Sequence, residues 1–274
     1  AMASKDQDYV LGTHDAEIAR LQLQHGIWRN LVHDCWQRAG IAKGQHVIDI
    51  GCGPGFASRD LAALVGQNGK VTGIERSERF IAYADALCRQ AGHDNAAFVK
   101  ADVMLDNPDL RDADAIWCRW LAIFVSDPAL LVNKMAAMLK PGGKLIFHEY
   151  VNYETYQSIP PSRRLEEFVQ HVMISWRDFG GEPNVAKLLP GILAEAGCRI
   201  LDTRPYSFSA QPHQPVWQWP ASFIDINLQR LLELGLVDAG WVTEVKQDVQ
   251  ALEANPNALL ITPMVLEIIA EKTA

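Results

Sequence analysis

A chain of 274 residues, nearly half of them apolar, can bury one large core, and its length suits a single α/β domain carrying an elaboration. A net charge of −8 argues against a protein that grips phosphate backbones, a task that takes clustered Lys and Arg, so nucleic acid is not expected as a partner. Five scattered cysteines without a CxxC pair read as reduced thiols of a cytoplasmic protein, and no apolar run is long enough to expect membrane insertion.

In chain order, residues 1–40 read as a helical arm. After Tyr9-Val10-Leu11-Gly12, the apolar positions Ile18, Leu21, Ile27, Leu31, Val32 and Trp36 recur at helical spacing, with Thr13 or Asp15 as N-cap and Gly40 closing the segment. Such an arm either folds over a ligand or is an outer-layer helix. Val47-Ile48-Asp49-Ile50 is a short buried strand that stops at Gly51, Gly53 and Gly55, and helical periodicity resumes at Phe56, Leu61, Leu64 and Val65. A glycine turn between strand and helix lets a ligand approach main-chain N–H groups, as nucleotide-type cofactors do. The dinucleotide fingerprint GxGxxG fails here because Phe56 stands where its third glycine belongs, which disfavours NAD.

A second strand, Val71 to Glu75, ends in a carboxylate able to accept both ribose hydroxyls. A helix follows from about Ser77 to Ala91, then a third strand, Ala96 to Val103, ending with Asp102. Asp102 is suited to an adenine amino group and the Val103 N–H to a ring nitrogen. Asp114 to Arg119 reads as a fourth strand, Asp127-Pro128 opens a helix through Leu139, and Lys140-Pro141-Gly142-Gly143 turns into a fifth strand, Leu145 to Tyr150. Alternating strands and helices imply a doubly wound, Rossmann-like parallel sheet with right-handed crossovers.

Residues 151–183 and 211–257 read as helical insertions that cap the carboxyl ends of the strands as lids. Trp176, Trp217 and Trp219 within them are expected to line or cover a chamber. Residues 198–209 form a sixth strand and residues 258–270 a seventh. His148 and Glu149, at the carboxyl end of the fifth strand, are the first candidates for a proton acceptor, and alternation lets only one of them face a cleft. His14, His25 and His171 lie on segments able to approach the same place.

Taken together, Asp49 through Gly55, Glu75, Ala101-Asp102, Asp114 through Arg119 and Leu139-Lys140-Pro141-Gly142-Gly143 occur in an order that resembles the class I S-adenosylmethionine (SAM) dependent methyltransferases. With Tyr9 to Gly12, Arg20-Leu21 and Gln24, the chain is similar to the small-molecule group that includes the ubiquinone and menaquinone methylases. The resemblance implies a seven-stranded, mostly parallel sheet with an antiparallel last strand, formed by residues 41–274. It implies SAM as cofactor and a small, aromatic or apolar acceptor. Gly51, Gly53 and Gly55 would hold the methionine end, Glu75 the ribose, and Asp102 with Val103 the adenine; Arg76 joins this set, and Tyr9, Gln24 and Arg119 approach the methionine end. Cys118-Arg119-Trp120 replaces the carboxylate that metal-dependent relatives carry after the fourth strand, so no metal is expected. A SAM-binding protein that does not methylate would carry the same binding motifs and remains the alternative.

Overall fold

The computed structural model describes residues 15–274. The chain opens with helix α1 (Asp15–Arg38), followed by β1 (His46–Ile50), α2 (Phe56–Val65), β2 (Lys70–Glu75), α3 (Glu78–Gln90), β3 (Ala96–Lys100), β4 (Ala113–Arg119), α4 (Pro128–Met138) and β5 (Leu139–Asn152). Then come β6 (Gln157–Ile159), α5 (Arg163–Asp178), α6 (Leu189–Glu195), β7 (Cys198–Tyr206), β8 (Ser209–Ala210), α7 (Gln218–Glu233), α8 (Ala239–Ala254), β9 (Leu259–Ile261) and β10 (Met264–Lys272). Hydroxyl and carboxylate caps start several helices: the Ser77 side chain accepts from the Phe80 N–H, Asp127 from Leu130 and Ser162 from Leu165.

Seven strands form the central sheet in the order β3-β2-β1-β4-β5-β10-β7. β1 pairs parallel with β2 and β4, β4 pairs parallel with β5, and β10 runs antiparallel between β5 and β7. Helices cover both faces, so Val47, Ile48 and Ile50 of β1 and the apolar centre of β4 are buried, as a doubly wound sheet requires. The expected Rossmann-like sheet with an antiparallel last strand is present.

Two details differ from the sequence reading. The stretch 258–270 is not one strand: it breaks at Thr262-Pro263 into β9 and β10, and β9 joins β6 and β8 in a separate three-stranded sheet. Proline has no N–H for a ladder, and Thr262 leaves the main sheet to bond Phe208 through both its N–H and its hydroxyl. The excursion 211–257 holds two helices, α7 and α8, separated by a turn at Gly235, whose φ is +71°. Helix α1 reaches two different regions of the molecule. Its carboxyl half sinks Trp28, Val32, Cys35 and Trp36 into the core, while its amino half carries Arg20, Leu21 and Gln24 to a cleft at the carboxyl ends of the strands. Among the described residues, no helix is long and apolar enough to cross a membrane.

Candidate functional site

The cleft has a volume of about 480 Å³ and two chemically different ends. Its polar end is built where β1, β2 and β3 stop. Gly51 and Gly53 adopt positive φ values of +67° and +55° that L side chains rarely take, turning the chain so that its backbone lines the cleft. A Cβ on Gly53 would meet nothing within 4 Å, whereas one on Gly51 would press on the Leu121 side chain at 3.0 Å. Gly55 differs from the expectation: it does not line the cleft, and a Cβ there would sit 2.6 Å from that of Ala84. Its service is to let α2 pack against α3.

Glu75 follows β2 into the cleft, where Oε1 accepts from the Gly53 N–H (3.2 Å) and Oε2 from the Ser77 N–H (2.8 Å). Burial raises its pKa against these bonds. Asp102 also lines the cleft; its Oδ1 accepts from the Met104 N–H (2.9 Å), and its Oδ2 lies 3.5 Å from Arg76 Nη1. Val103, Arg76, Gln24 and Arg119 complete the expected residues on this lining. Gln24 Oε1 accepts from Trp219 Nε1 (2.8 Å) and from Arg20 Nη1 (3.2 Å). Tyr9 and His14 lie outside the described residues.

Beneath the glycine turn, Asp49 is buried and accepts from the Ser58 hydroxyl at 2.6 Å; burial pushes its pKa up to about 6, against that bond and the attraction of Arg119. Arg119 Cζ lies 5.8 Å from the ring centroid of Trp117 and 5.5 Å from that of Trp120. Its Nη2 donates to His25 Nδ1 (3.1 Å), and His25 Nε2 bonds Asp60 Oδ2 (2.7 Å). Burial pushes the His25 pKa down to about 4, so the ring is neutral at physiological pH.

The aromatic end is formed by Trp120, Phe124, Tyr150, Trp176, Phe179 and Phe223. Trp120 holds φ at +48°, a costly conformation for a bulky residue of the kind that persists where surrounding packing over-determines it. Tyr150 stacks on Trp176 with an interplanar angle of 13° and tilts against Trp120. Of the three tryptophans expected here, Trp176 lines the chamber. Trp219 stands behind Trp120, with ring centroids 5.9 Å apart, and Trp217 is core.

Neither proton-acceptor candidate lines this cleft. His148 is fully buried on the other side of Trp117 and Trp28, with Nε2 donating to Glu267 Oε1 at 2.9 Å. Burial lowers its pKa despite that carboxylate. Cys35, His148 and Glu267 bring ligand-type atoms within 4.8 Å of one another, but His148 and Arg38 already engage the two Glu267 oxygens. Glu149 points the opposite way: its Oε1 accepts from the Leu121 and Ala122 N–H groups at 3.0 and 2.8 Å, pinning the turn Ala122–Phe124 that forms the chamber wall. Burial pushes its pKa up to about 8 against those bonds. Alternation places one side chain in each layer behind the cleft, so both are structural neighbours of the site. His171 also lies elsewhere, edge-on to Trp241 with centroids 5.0 Å apart. The side chain from β5 that does line the cleft is Tyr150, two residues further along the strand; a search for groups that titrate near neutrality passes over it.

The cleft can therefore hold an elongated ligand whose polar part meets backbone N–H groups, carboxylates and a guanidinium, with a second, planar molecule beside it. The ubiquinone biosynthesis O-methyltransferase of Coxiella burnetii is 37% identical over 105 residues, 38% of this chain and 43% of that protein, so the chain spans less than half the length of this relative. A phosphoethanolamine N-methyltransferase of Haemonchus contortus, solved with SAM, shares the fold at a TM-score of 0.55 and 19% identity over 89% of this chain and 53% of that one. The [4+2]-cyclase SpnF shares it at a TM-score of 0.55 and 20% identity, over 89% and 80% of the two chains. Residues 41–185, just over half of the chain, match the family described as a methyltransferase domain, and because that stretch supplies every strand end on the polar side of the cleft, the chain belongs to this family.

Proposed function

We propose that this protein transfers a methyl group from SAM to a small aromatic or apolar acceptor. The observation that carries the proposal is the continuity of the polar end, at Gly51, Gly53, Glu75 and Asp102, with a chamber walled by Trp120, Tyr150, Trp176 and Phe223. The residues present suit the cofactor. Both Glu75 oxygens are oriented by backbone N–H groups and keep lone pairs for two ribose hydroxyls, the open face of Gly53 admits a ligand against the main chain, and Asp102 with Val103 offers an acceptor and a donor to adenine. Arg76 steadies Asp102, while Gln24 and Arg119 stand toward the methionine end. When bound, SAM supplies an electrophilic methyl group on a sulfonium.

The protein's own contribution is to align the acceptor and exclude water, which for an in-line displacement can supply most of the rate. Aromatic walls suit a planar acceptor, since they provide large apolar area with few rotatable bonds. The Tyr150 hydroxyl, its pKa raised by burial, is a neutral group able to orient such an acceptor. His148 and Glu149 have no part in this reading. An arm at residues 1–40 and lids at 151–183 and 211–257 around a core of residues 41–274 belong to the proposal, as does a cytoplasmic protein without nucleic-acid partners, in keeping with its net charge.

Calorimetry with SAM and S-adenosylhomocysteine tests the cofactor, and absence of binding to either overturns the proposal. Release of S-adenosylhomocysteine with a panel of phenols, catechols and quinols tests the transfer. Binding without any turnover would favour a SAM-binding protein that does not methylate, and activity lost in EDTA and restored by magnesium would contradict the metal-independent reading of Arg119.

A further inference from the structure

We propose that His25, held in one tautomer by Asp60, is a positioning residue that orients Arg119 toward the carboxylate of the cofactor's methionine end; this rests on the cofactor reading above. A guanidinium has only donors, so the 3.1 Å contact between Arg119 Nη2 and His25 Nδ1 requires that Nδ1 carry no proton. The ring proton is therefore on Nε2, directed at Asp60 Oδ2 across 2.7 Å. Asp60 cannot turn away, because the same oxygen accepts from Arg29 Nε and from His33 Nε2, each at 3.0 Å, and the carboxylate is almost fully buried on α2.

Three elements thus meet at one side chain: α2, which begins at the glycine turn, α1, and the end of β4. The indoles of Trp117 and Trp120 crowd the guanidinium, and His25 holds its Nη2. What remains is Nη1, buried and without a hydrogen-bond partner among the described residues, on a side chain that lines the same cleft as Gly51 and Gly53. A donor kept unpaired while its neighbours are fixed suits an anionic group brought by a ligand.

The sequence of bonds makes a specific demand on Asp60. A carboxylate there can only accept and so selects the Nε2–H tautomer; an amide can donate, which lets the proton move to Nδ1, where it opposes Arg119. Asp60→Asn should therefore disturb Arg119 almost as much as His25→Phe, although its shape is unchanged.

The test measures binding of two ligands by calorimetry: S-adenosylhomocysteine, and 5′-methylthioadenosine, which keeps the adenosine and thioether but lacks the amino-acid carboxylate. In both variants the first should bind roughly ten-fold more weakly and the second within about two-fold of wild type, since a charge-assisted bond is lost only where a carboxylate is present. In an Arg119→Met background, His25→Phe should cause no further loss. Equal weakening of both ligands, or unchanged affinity for both, overturns the proposal and leaves His25 as a tie between helices; Asp60→Asn decides this should His25→Phe fail to fold. Wild-type protein that binds neither ligand would overturn the cofactor reading itself, and this inference with it.

Discussion

At the polar end of the cleft, Gly51, Gly53, Glu75 and Asp102 stand at the ends of three neighbouring strands, within about fifty residues of sequence. Their geometry is fixed by hydrogen bonds that main-chain N–H groups donate to side-chain carboxylates, such as Gly53 N–H to Glu75 Oε1. The aromatic end draws Trp120 from the end of β4, Tyr150 from β5, Trp176 from α5 and Phe223 from α7, and is held by ring packing between elements far apart in the chain. Main-chain geometry imposes short motifs with fixed spacing. Side-chain packing imposes only size and apolarity, which many sequences satisfy. The first end is therefore tied to one arrangement of main-chain and carboxylate groups, and the second can vary while the fold stays constant.

The sharpest way to separate the two ends is Trp176→Ala. The indole is buried against Tyr150, Tyr153 and Phe223, so its removal should cost about 4 kcal/mol of stability in urea unfolding while S-adenosylhomocysteine affinity changes less than about two-fold. Comparable loss of cofactor affinity would show that the ends are not independent.

Next in size is Gly55→Ala. A positive φ of +88° and a contact with Ala84 at 2.6 Å should together cost about 3 kcal/mol, against about 1 kcal/mol for Gly53→Ala, whose Cβ has open space. Calorimetry should reverse that order, with Gly53→Ala weakening the cofactor more among folded proteins. Glu75→Gln keeps the size of the side chain but removes its charge, and should weaken S-adenosylhomocysteine roughly ten-fold. Unchanged affinity would remove Glu75 from the ribose role.

The smallest effect is a pH slope. Glu149, buried with its pKa pushed up to about 8, holds a proton in the folded state that the unfolded chain gives up at ordinary carboxylate pH. Stability from this group is complete below the unfolded pKa and is lost as pH rises toward 8, by at most about 1.4 kcal/mol per unit. His25 and His148, with lowered pKa values, give an opposite slope confined below about pH 6.5. Glu75 and the thiols of Cys52 and Cys118, their pKa values also raised by burial, slope in the same sense as Glu149, so between pH 6.5 and 8 Glu149→Gln should reduce the slope of the urea midpoint by the share that Glu149 contributes. A slope that is not reduced in the variant would assign it elsewhere.

The same contrast governs how far the sequence could be read. Strands β1 to β5 and the helices between them were legible because apolar runs, glycine turns and caps such as Ser77 and Asp127 are local signals. The positions of Glu75 and Asp102 on the cleft followed from counting strand ends, and that of Arg119 from the family resemblance. The failures have a common cause. Whether His148 or Glu149 met the cleft depended on what packed behind β5, and Glu267, arriving from β10, and the turn Ala122–Phe124 each claimed one of them. Gly55 was read with its neighbours because spacing does not distinguish a glycine needed for a ligand from one needed for Ala84. Only Pro263 gave a local sign of the break between β9 and β10.

The place of β10 in the sheet also sets the order in which the molecule can assemble. Because β10 lies between β5 and β7, both of which precede it, each keeps an unpaired edge until residues 264–272 insert and bond on both sides at once. That insertion brings Glu267 to Arg38 on α1 and to His148 on β5, joining contacts more than a hundred residues apart. Pairing of such high sequence separation is slow, and open edges are templates for wrong partners. The last strand is thus the step at which a half-built sheet is committed either to its own fold or to association with another chain.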